Sequence, residues 1–164
     1  MQPLTLISET LKEVLVNQFA SEKQNANIYL SIASYLNGKG LSNLAKKFEE
    51  QHAEETSHAL IIYKLLSDLS IVFSVPQIDS YNLSFIEKIT DIAKLYLERE
   101  FETTTSLADI KDLAIQENNP VVEERIREMI RAQQSEYEEA TEFLDKSLLM
   151  SEWWQVALWN ESLG

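Results

Sequence analysis

A chain of 164 residues with 45% hydrophobic content can bury one sizeable core and is too short for two ordinary domains, so a single domain over residues 1–164 is expected. The absence of cysteine excludes disulfide frameworks, zinc knuckles, Cys-ligated iron–sulfur clusters and thiol catalysis, and leaves oxygen and nitrogen as the ligand atoms for any metal. With 14 Lys plus Arg against 27 Asp plus Glu, the formal charge of −13 disfavours nucleic acid and anionic membranes as partners and favours cations.

Three glycines and three prolines in a chain rich in Leu, Ile, Ala, Glu, Gln and Lys predict an all-α fold. Met1 to Ile7 lacks a basic region followed by an apolar run and a small-residue cleavage site, and no segment reads as a membrane span, so a cytoplasmic location is expected. The first helix is predicted over about Thr5 to Leu36, with Leu11, Val14, Leu15, Phe19, Ala26, Tyr29, Ala33 and Leu36 at helical spacing. Asn37-Gly38-Lys39-Gly40 stops it, and a second helix, about Leu41 to Leu69, carries Leu44, Phe48, Ile62, Leu65, Leu66 and Leu69 on one stripe. The third helix is expected to begin near Asn82 or Ser84, where Ser84 and Glu87 have capping-box spacing, and to continue to about Ile115. Asn118-Asn119-Pro120 then forms a turn, with Asn119 as N-cap and Pro120 at the first position of a fourth helix that runs to about Leu148. Its seam is Val122, Ile126, Met129, Ile130, Ala140, Phe143 and Leu144, and the Trp-rich tail from Glu152 to Leu163 reads as a short fifth helix.

Loop lengths order these helices. The short connections Asn37–Gly40 and Gln116–Asn119 make the first and second helices, and the third and fourth, antiparallel neighbours. From Ser70 to Tyr81 the chain has roughly a dozen residues, which extended reach about 40 Å, the length of a helix of about 27 residues. That segment can cross the whole bundle. The expected architecture is therefore a four-helix bundle with one long crossover between helices two and three, plus the short C-terminal helix.

Each of the four seams is interrupted near its middle by polar groups: Glu22, Glu55 with His58, Glu100, and Gln133 with Glu136. Burying an unpaired carboxylate costs several kcal/mol, so a convergent set requires a cation. Glu55-Thr56-Ser57-His58 places a carboxylate and an imidazole one turn apart on one face, the metal-binding unit of carboxylate-bridged di-iron bundles. For any one of these groups, a head in water at the edge of the core is an equally good reading. One per helix, each near mid-helix, is much harder to dismiss.

These residues carry a resemblance to the ferritins, and more closely to the haem-free bacterial type. It covers about Thr5 to Lys146 and rests on Asn17-Gln18 with Glu22 and Tyr29, on Glu54-Glu55-Thr56-Ser57-His58, on Glu100 with Thr104, and on Gln133, Glu136 and Asp145-Lys146. The resemblance implies a first iron position at Glu22, Glu55 and His58, a second at Glu100, Glu136 and Gln133, Glu55 as the bridge, and Tyr29 as the tyrosine beside the di-iron centre. It also implies a homo-oligomeric cage of twenty-four subunits. Gln133-Gln134-Ser135-Glu136 replaces the second Glu-x-x-His of bacterioferritins, and Thr56 stands where their haem-ligating Met would be, so no haem is expected. Of the carboxylates of the family's third iron site Glu54 is present, while Ala132 and Ser135 occupy two matching positions. Glu123 matches one acidic position of the threefold pore, Ile126 replaces the other, and the tail lacks the usual Gly-containing link to the fifth helix.

Carboxylates and imidazole suit Fe²⁺, Mn²⁺ or Zn²⁺, and a bridging Glu can hold two ions about 3.5 to 4 Å apart. The expected function is iron storage with ferroxidase activity, Fe²⁺ and O₂ being the substrates. Two other readings stay open: a dimetal carboxylate oxidase acting on an organic substrate, which needs a pocket beside the metals, and a helical cage that binds metal without redox chemistry.

Overall fold

The computed structural model describes residues 7–164, so the expected helix start at Thr5 and the leader reading of Met1 to Ile7 fall mostly outside the described residues. Among the described residues there are five helices and no strand: α1 (Glu9–Gly38), α2 (Ser42–Asp68), α3 (Ile89–Gln116), α4 (Pro120–Ser147) and α5 (Trp153–Ser162). Among the described residues no helix is long and apolar enough to cross a membrane. The Ser8 hydroxyl accepts from Leu11 N–H at 3.0 Å and so caps α1. At the other end, Gly40 adopts a φ of +77°, a left-handed turn open to glycine without a steric penalty. At α4 the expected cap is in place, Asn119 Oδ1 accepting from Val122 N–H at 3.1 Å, with Pro120 opening the helix.

The core divides into two apolar clusters, and membership gives the chain direction. Leu11 and Leu15 of α1, Leu65 and Leu66 of α2, Ala114 of α3 and Val122 of α4 lie in one cluster. Leu36, Leu44, Ile89 and Phe143, from the opposite ends of the same helices, lie in the other. Hence α1 and α2 are antiparallel, α3 and α4 are antiparallel, and α2 and α3 run parallel, as the crossover length required. Ile71 and Phe73 of the crossover pack on the first cluster, Phe73 edge-on to Phe19 at 5.3 Å, while Tyr81, Leu83 and Ile86 pack on the second. The crossover thus traverses the bundle from end to end.

One boundary differs from the sequence expectation. Ser84 and Glu87 form no capping box. Ser84 N–H is taken by Asn82 Oδ1 at 2.8 Å, and the Asp91 carboxylate accepts from the amides of Glu87 and Lys88 at 2.9 and 3.0 Å. Asp91 therefore satisfies the free amides at the start of α3 and sets it at Ile89, leaving Ile86 as a loop residue buried in the core.

The fifth helix serves the second. Leu41 supplies no side-chain cap to α2; instead Asn160 of α5 accepts from Leu44 N–H through Oδ1 at 2.9 Å, and its carbonyl accepts from Asn43 Nδ2 at 3.0 Å. Trp159 packs on Phe143 with ring centroids 5.0 Å apart, and the Trp153 indole N–H donates to the Glu87 carbonyl at 3.1 Å. The tail thereby seals the end of the bundle where α2 starts and α4 ends.

Candidate metal centre

Between the two apolar clusters lies a polar layer. Glu22, Glu55, Glu100, Gln133, Glu136 and His58 are all buried, Glu22, Glu55 and Glu100 with no solvent exposure at all. Each helix contributes because the seam residues one turn above and below, such as Phe19 and Ala26 on α1, point the intervening side chain to the same axis. The structure brings together Glu22, Tyr29, Glu54, Glu55, His58, Glu100, Gln133 and Glu136, while Glu123 lies apart in the first turn of α4, paired with Arg127. Ligand atoms of Glu22, Glu55 and His58 lie within 4.8 Å of one another, and so do those of Glu55, Glu100 and Glu136, two groups sharing Glu55. A third group, Glu54, His58 and Glu136, reaches the surface through the exposed Glu54.

The imidazole stands between these groups. His58 Nδ1 is 3.6 Å from Glu55 Oε2 and 3.8 Å from Glu22 Oε2, while Nε2 is 3.8 Å from Glu136 Oε1 and 3.9 Å from Glu54 Oε2. These separations exceed hydrogen-bond length. At Glu100 the arrangement is tighter: the Tyr29 phenol donates to Oε1 at 2.7 Å and the Gln133 amide donates to Oε2. Glu22 Oε2, both oxygens of Glu55, both of Glu136 and Gln133 Oε1 accept no hydrogen bond from the described residues.

That pattern tests whether a metal belongs here. Five carboxylate oxygens and one amide oxygen, buried and unbonded, are far more than an apolar bundle core tolerates, whereas hard divalent cations need such donors. The residues present fit a pair of ions.

Protons take the cation's place in the metal-free protein. Burial pushes the Glu55 carboxyl up to about 11, reinforced by the neighbouring Glu22 and Glu100 charges, and pushes Glu136 up to about 8. Burial pulls the His58 imidazole down, but the carboxylates of Glu22, Glu55 and Glu136 outweigh it and hold it at about 11. Burial also raises Glu22, yet contact with Glu55, His58 and the Gln18 amide leaves its carboxyl net below the usual range. Burial and the Glu100 charge raise the Tyr29 phenol well above normal, so it keeps its proton and donates it to Glu100.

The sign of the resulting linkage is definite. Groups whose folded pKa is raised hold protons that the unfolded chain has released, so the metal-free fold loses stability as pH rises from about 4.5 to about 8 through Glu136, and onward through His58 and Glu55. A divalent cation reverses this by displacing the protons. Calorimetric titration of Zn²⁺ into the metal-free protein at neutral pH is expected to show net proton release, read as a heat that varies with the ionisation enthalpy of the buffer. A buffer-independent heat would contradict this protonation pattern.

Other residues of the layer are seam-position polar groups that sequence reasoning passed over. Asn25, fully buried, donates through Nδ2 to Thr103 Oγ1 at 3.0 Å and accepts from Arg99 Nε at 2.7 Å, tying α1 to α3 beside the carboxylates. Tyr96 lies one turn before Glu100, its ring edge-on to Tyr29 at 5.5 Å. The available signal was their helical spacing from Glu22 and Glu100, which places them on the same faces.

Residues 12–150 match the model of a family described as "Ferritin-like domain". The ferritin BfrB of Mycolicibacterium smegmatis is 27% identical over 123 residues, covering 75% of this chain and 67% of that protein. Against BfrB of Mycobacterium tuberculosis the chain is 26% identical and spans 62% of that relative's length. A bacterial non-heme ferritin of Bacteroides fragilis is 23% identical over 141 residues, 86% of this chain and 88% of the relative. Among solved structures, a humanized archaeal ferritin is similar with a TM-score of 0.89 and 25% identity, covering 96% of this chain and 95% of that one.

Proposed function

Because the chain belongs to the ferritin family, we propose that it stores iron, oxidising Fe²⁺ with O₂ at the polar layer and holding the ferric product as mineral inside a cage of twenty-four identical subunits in the cytoplasm. The observation that carries this reading is the set of unbonded buried oxygens arranged as two groups about Glu55. Iron is the substrate here. Glu22 through Oε2, Glu55 and His58 through Nδ1 would hold one ion; Glu55, Glu100, Glu136 and Gln133 through Oε1 would hold the other.

Two ferrous ions supply two electrons, which with two protons take one O₂ to hydrogen peroxide. The chain's residues set the outcome of that exchange. Four carboxylates, Glu22, Glu55, Glu100 and Glu136, balance the charge of two Fe²⁺ but leave two Fe³⁺ short of neutrality, and Gln133 adds no charge, so the ferric product is held less well and can move on. Glu54, exposed and within reach of His58 and Glu136, offers the next carboxylate on the way out. Tyr29 keeps its proton and fixes Glu100.

The oxidase reading needs an organic substrate against the ligands. A groove of about 420 Å³ between α1 and α3 comes near, but Gln18 stands between it and Glu22. This supports storage over oxidation of a carbon compound.

Aerobic addition of Fe²⁺, followed by near-ultraviolet absorbance, is expected to give a fast ferric signal well above that of buffer. On gel filtration a cage of 18.9 kDa chains should elute near half a megadalton, about 24 times the subunit mass. Oxidation no faster than in buffer would sink the ferroxidase reading, and elution as a dimer would sink the cage.

A further inference from the structure

Gln18 lies on α1 one turn before Glu22 and is almost wholly buried, 3% exposed. Its Nε2 donates to Glu22 Oε1 at 2.9 Å, and its Oε1 accepts from Ser106 Oγ of α3 at 2.7 Å. The orientation is forced: an ionised carboxylate can only accept, so the amide N–H must face Glu22 and the amide oxygen must face the hydroxyl. Thr103 O, at 3.1 Å, competes as an acceptor for the single proton of that hydroxyl, and the shorter contact is the one to Gln18. A relay Ser106–Gln18–Glu22 therefore joins α3 to the carboxylate on α1. It occupies Glu22 Oε1 and leaves Oε2, which is 3.8 Å from His58 Nδ1, unbonded.

We infer that Gln18, held by Ser106, is a positioning residue of the metal centre: it turns one oxygen of Glu22 away from the cluster and presents the other, in a fixed rotamer, to the incoming divalent cation. A glutamate side chain free to rotate would lose rotamer entropy on binding; one already held loses little. Gln18 also lines the groove between α1 and α3, together with Asn17, Ser21, Ser106 and Asp109. One side chain thus separates solvent in that groove from a ligand with no exposure of its own. The same amide orients Glu22 and keeps water from competing for its oxygens. The inference rests on the metal-centre reading proposed above.

The test is an anaerobic Co²⁺ titration of the full-length protein, followed by the visible d–d bands, with the melting temperature of each metal-free variant as a check on folding. Gln18→Leu keeps the bulk and the wall but removes both hydrogen bonds. It is expected to weaken binding of the first ion about tenfold or more, the usual cost of removing a partner that orients a metal ligand, and to change the d–d spectrum. Ser106→Ala should weaken binding several-fold, and Ser106→Thr, which restores the hydroxyl, should bind more tightly than Ser106→Ala. Wild-type affinity and spectrum in Gln18→Leu, with Glu55→Ala having lost binding, overturns the role of Gln18 alone. Wild-type binding in Glu55→Ala overturns the metal centre itself. If Gln18→Leu does not fold, unchanged binding in Ser106→Ala overturns the inference.

Discussion

Glu55→Ala is expected to abolish the fast, O₂-dependent phase of Fe²⁺ oxidation, lowering its rate by about 100-fold or more, while leaving the bundle folded. The expectation follows from position. Glu55 belongs to both ligand groups and both its oxygens are unbonded, so its loss removes a donor from each ion at once and the two can no longer be bridged. Losing even an indirect partner of a ligand costs about 10- to 100-fold in affinity or activity, so losing a shared ligand should cost at least the top of that range. Folding is expected to survive for a separate reason. The Glu55 carboxyl is pushed up to about 11 by burial, which marks a group held in the core against its preference, and the apolar clusters on either side do not depend on it. Stopped-flow absorbance after mixing with aerobic Fe²⁺ makes the measurement, with exposed Glu98→Ala as the control. A wild-type fast phase in Glu55→Ala would remove the polar layer from the chemistry.

The second large effect is on stability. Phe48 has no exposure and meets three other rings, Tyr96 at 5.3 Å, Phe143 at 5.4 Å and Tyr29 at 6.1 Å. Phe48→Ala deletes the ring at the centre of this group and leaves a cavity that four packed helices can only partly close. The expected cost is about 3–5 kcal/mol. For a chain of this length that corresponds to roughly 6–20 °C in melting temperature. Phe101→Ala, at a ring 57% exposed, should change stability by less than about 0.5 kcal/mol. Denaturant unfolding of the metal-free protein decides it; equal losses at the two positions would mean that the aromatic group does not anchor the core. Tyr29 belongs to the same group and donates to Glu100, so packing loss at Phe48 is also expected to loosen one side of the polar layer.

Much of the bundle was legible because its signals are local. The seam of α2, from Leu44 and Phe48 to Leu65 and Leu66, is buried throughout, and Asn119 with Pro120 opens α4. The reading was less complete where one helix faces two neighbours. On α1 a single stripe was expected, yet Ile28 and Ile32 are also fully buried, because α1 packs against α3 as well as α2 and so buries a wider arc. The start of α3 was misplaced because Ser84 and Glu87 match a pattern that Asn82 and Asp91 override.

The polar layer divides the same way. The candidates for it were set by the sequence alone: a carboxylate or an imidazole that interrupts an apolar seam at helical spacing shares the face of its apolar neighbours, since helix periodicity depends only on neighbours along the chain. Which oxygens remain free was decided only by the tertiary structure. The bonds that occupy Glu100 come from Tyr29 and Gln133, 71 and 33 residues away, the hydroxyl that anchors Gln18 lies 88 residues from it, and the Asn160 cap on α2 reaches across 116. Such pairings depend on the relative heights and rotations of packed helices, a difference of an ångström or a few tens of degrees that leaves the hydrophobic pattern of each helix unchanged.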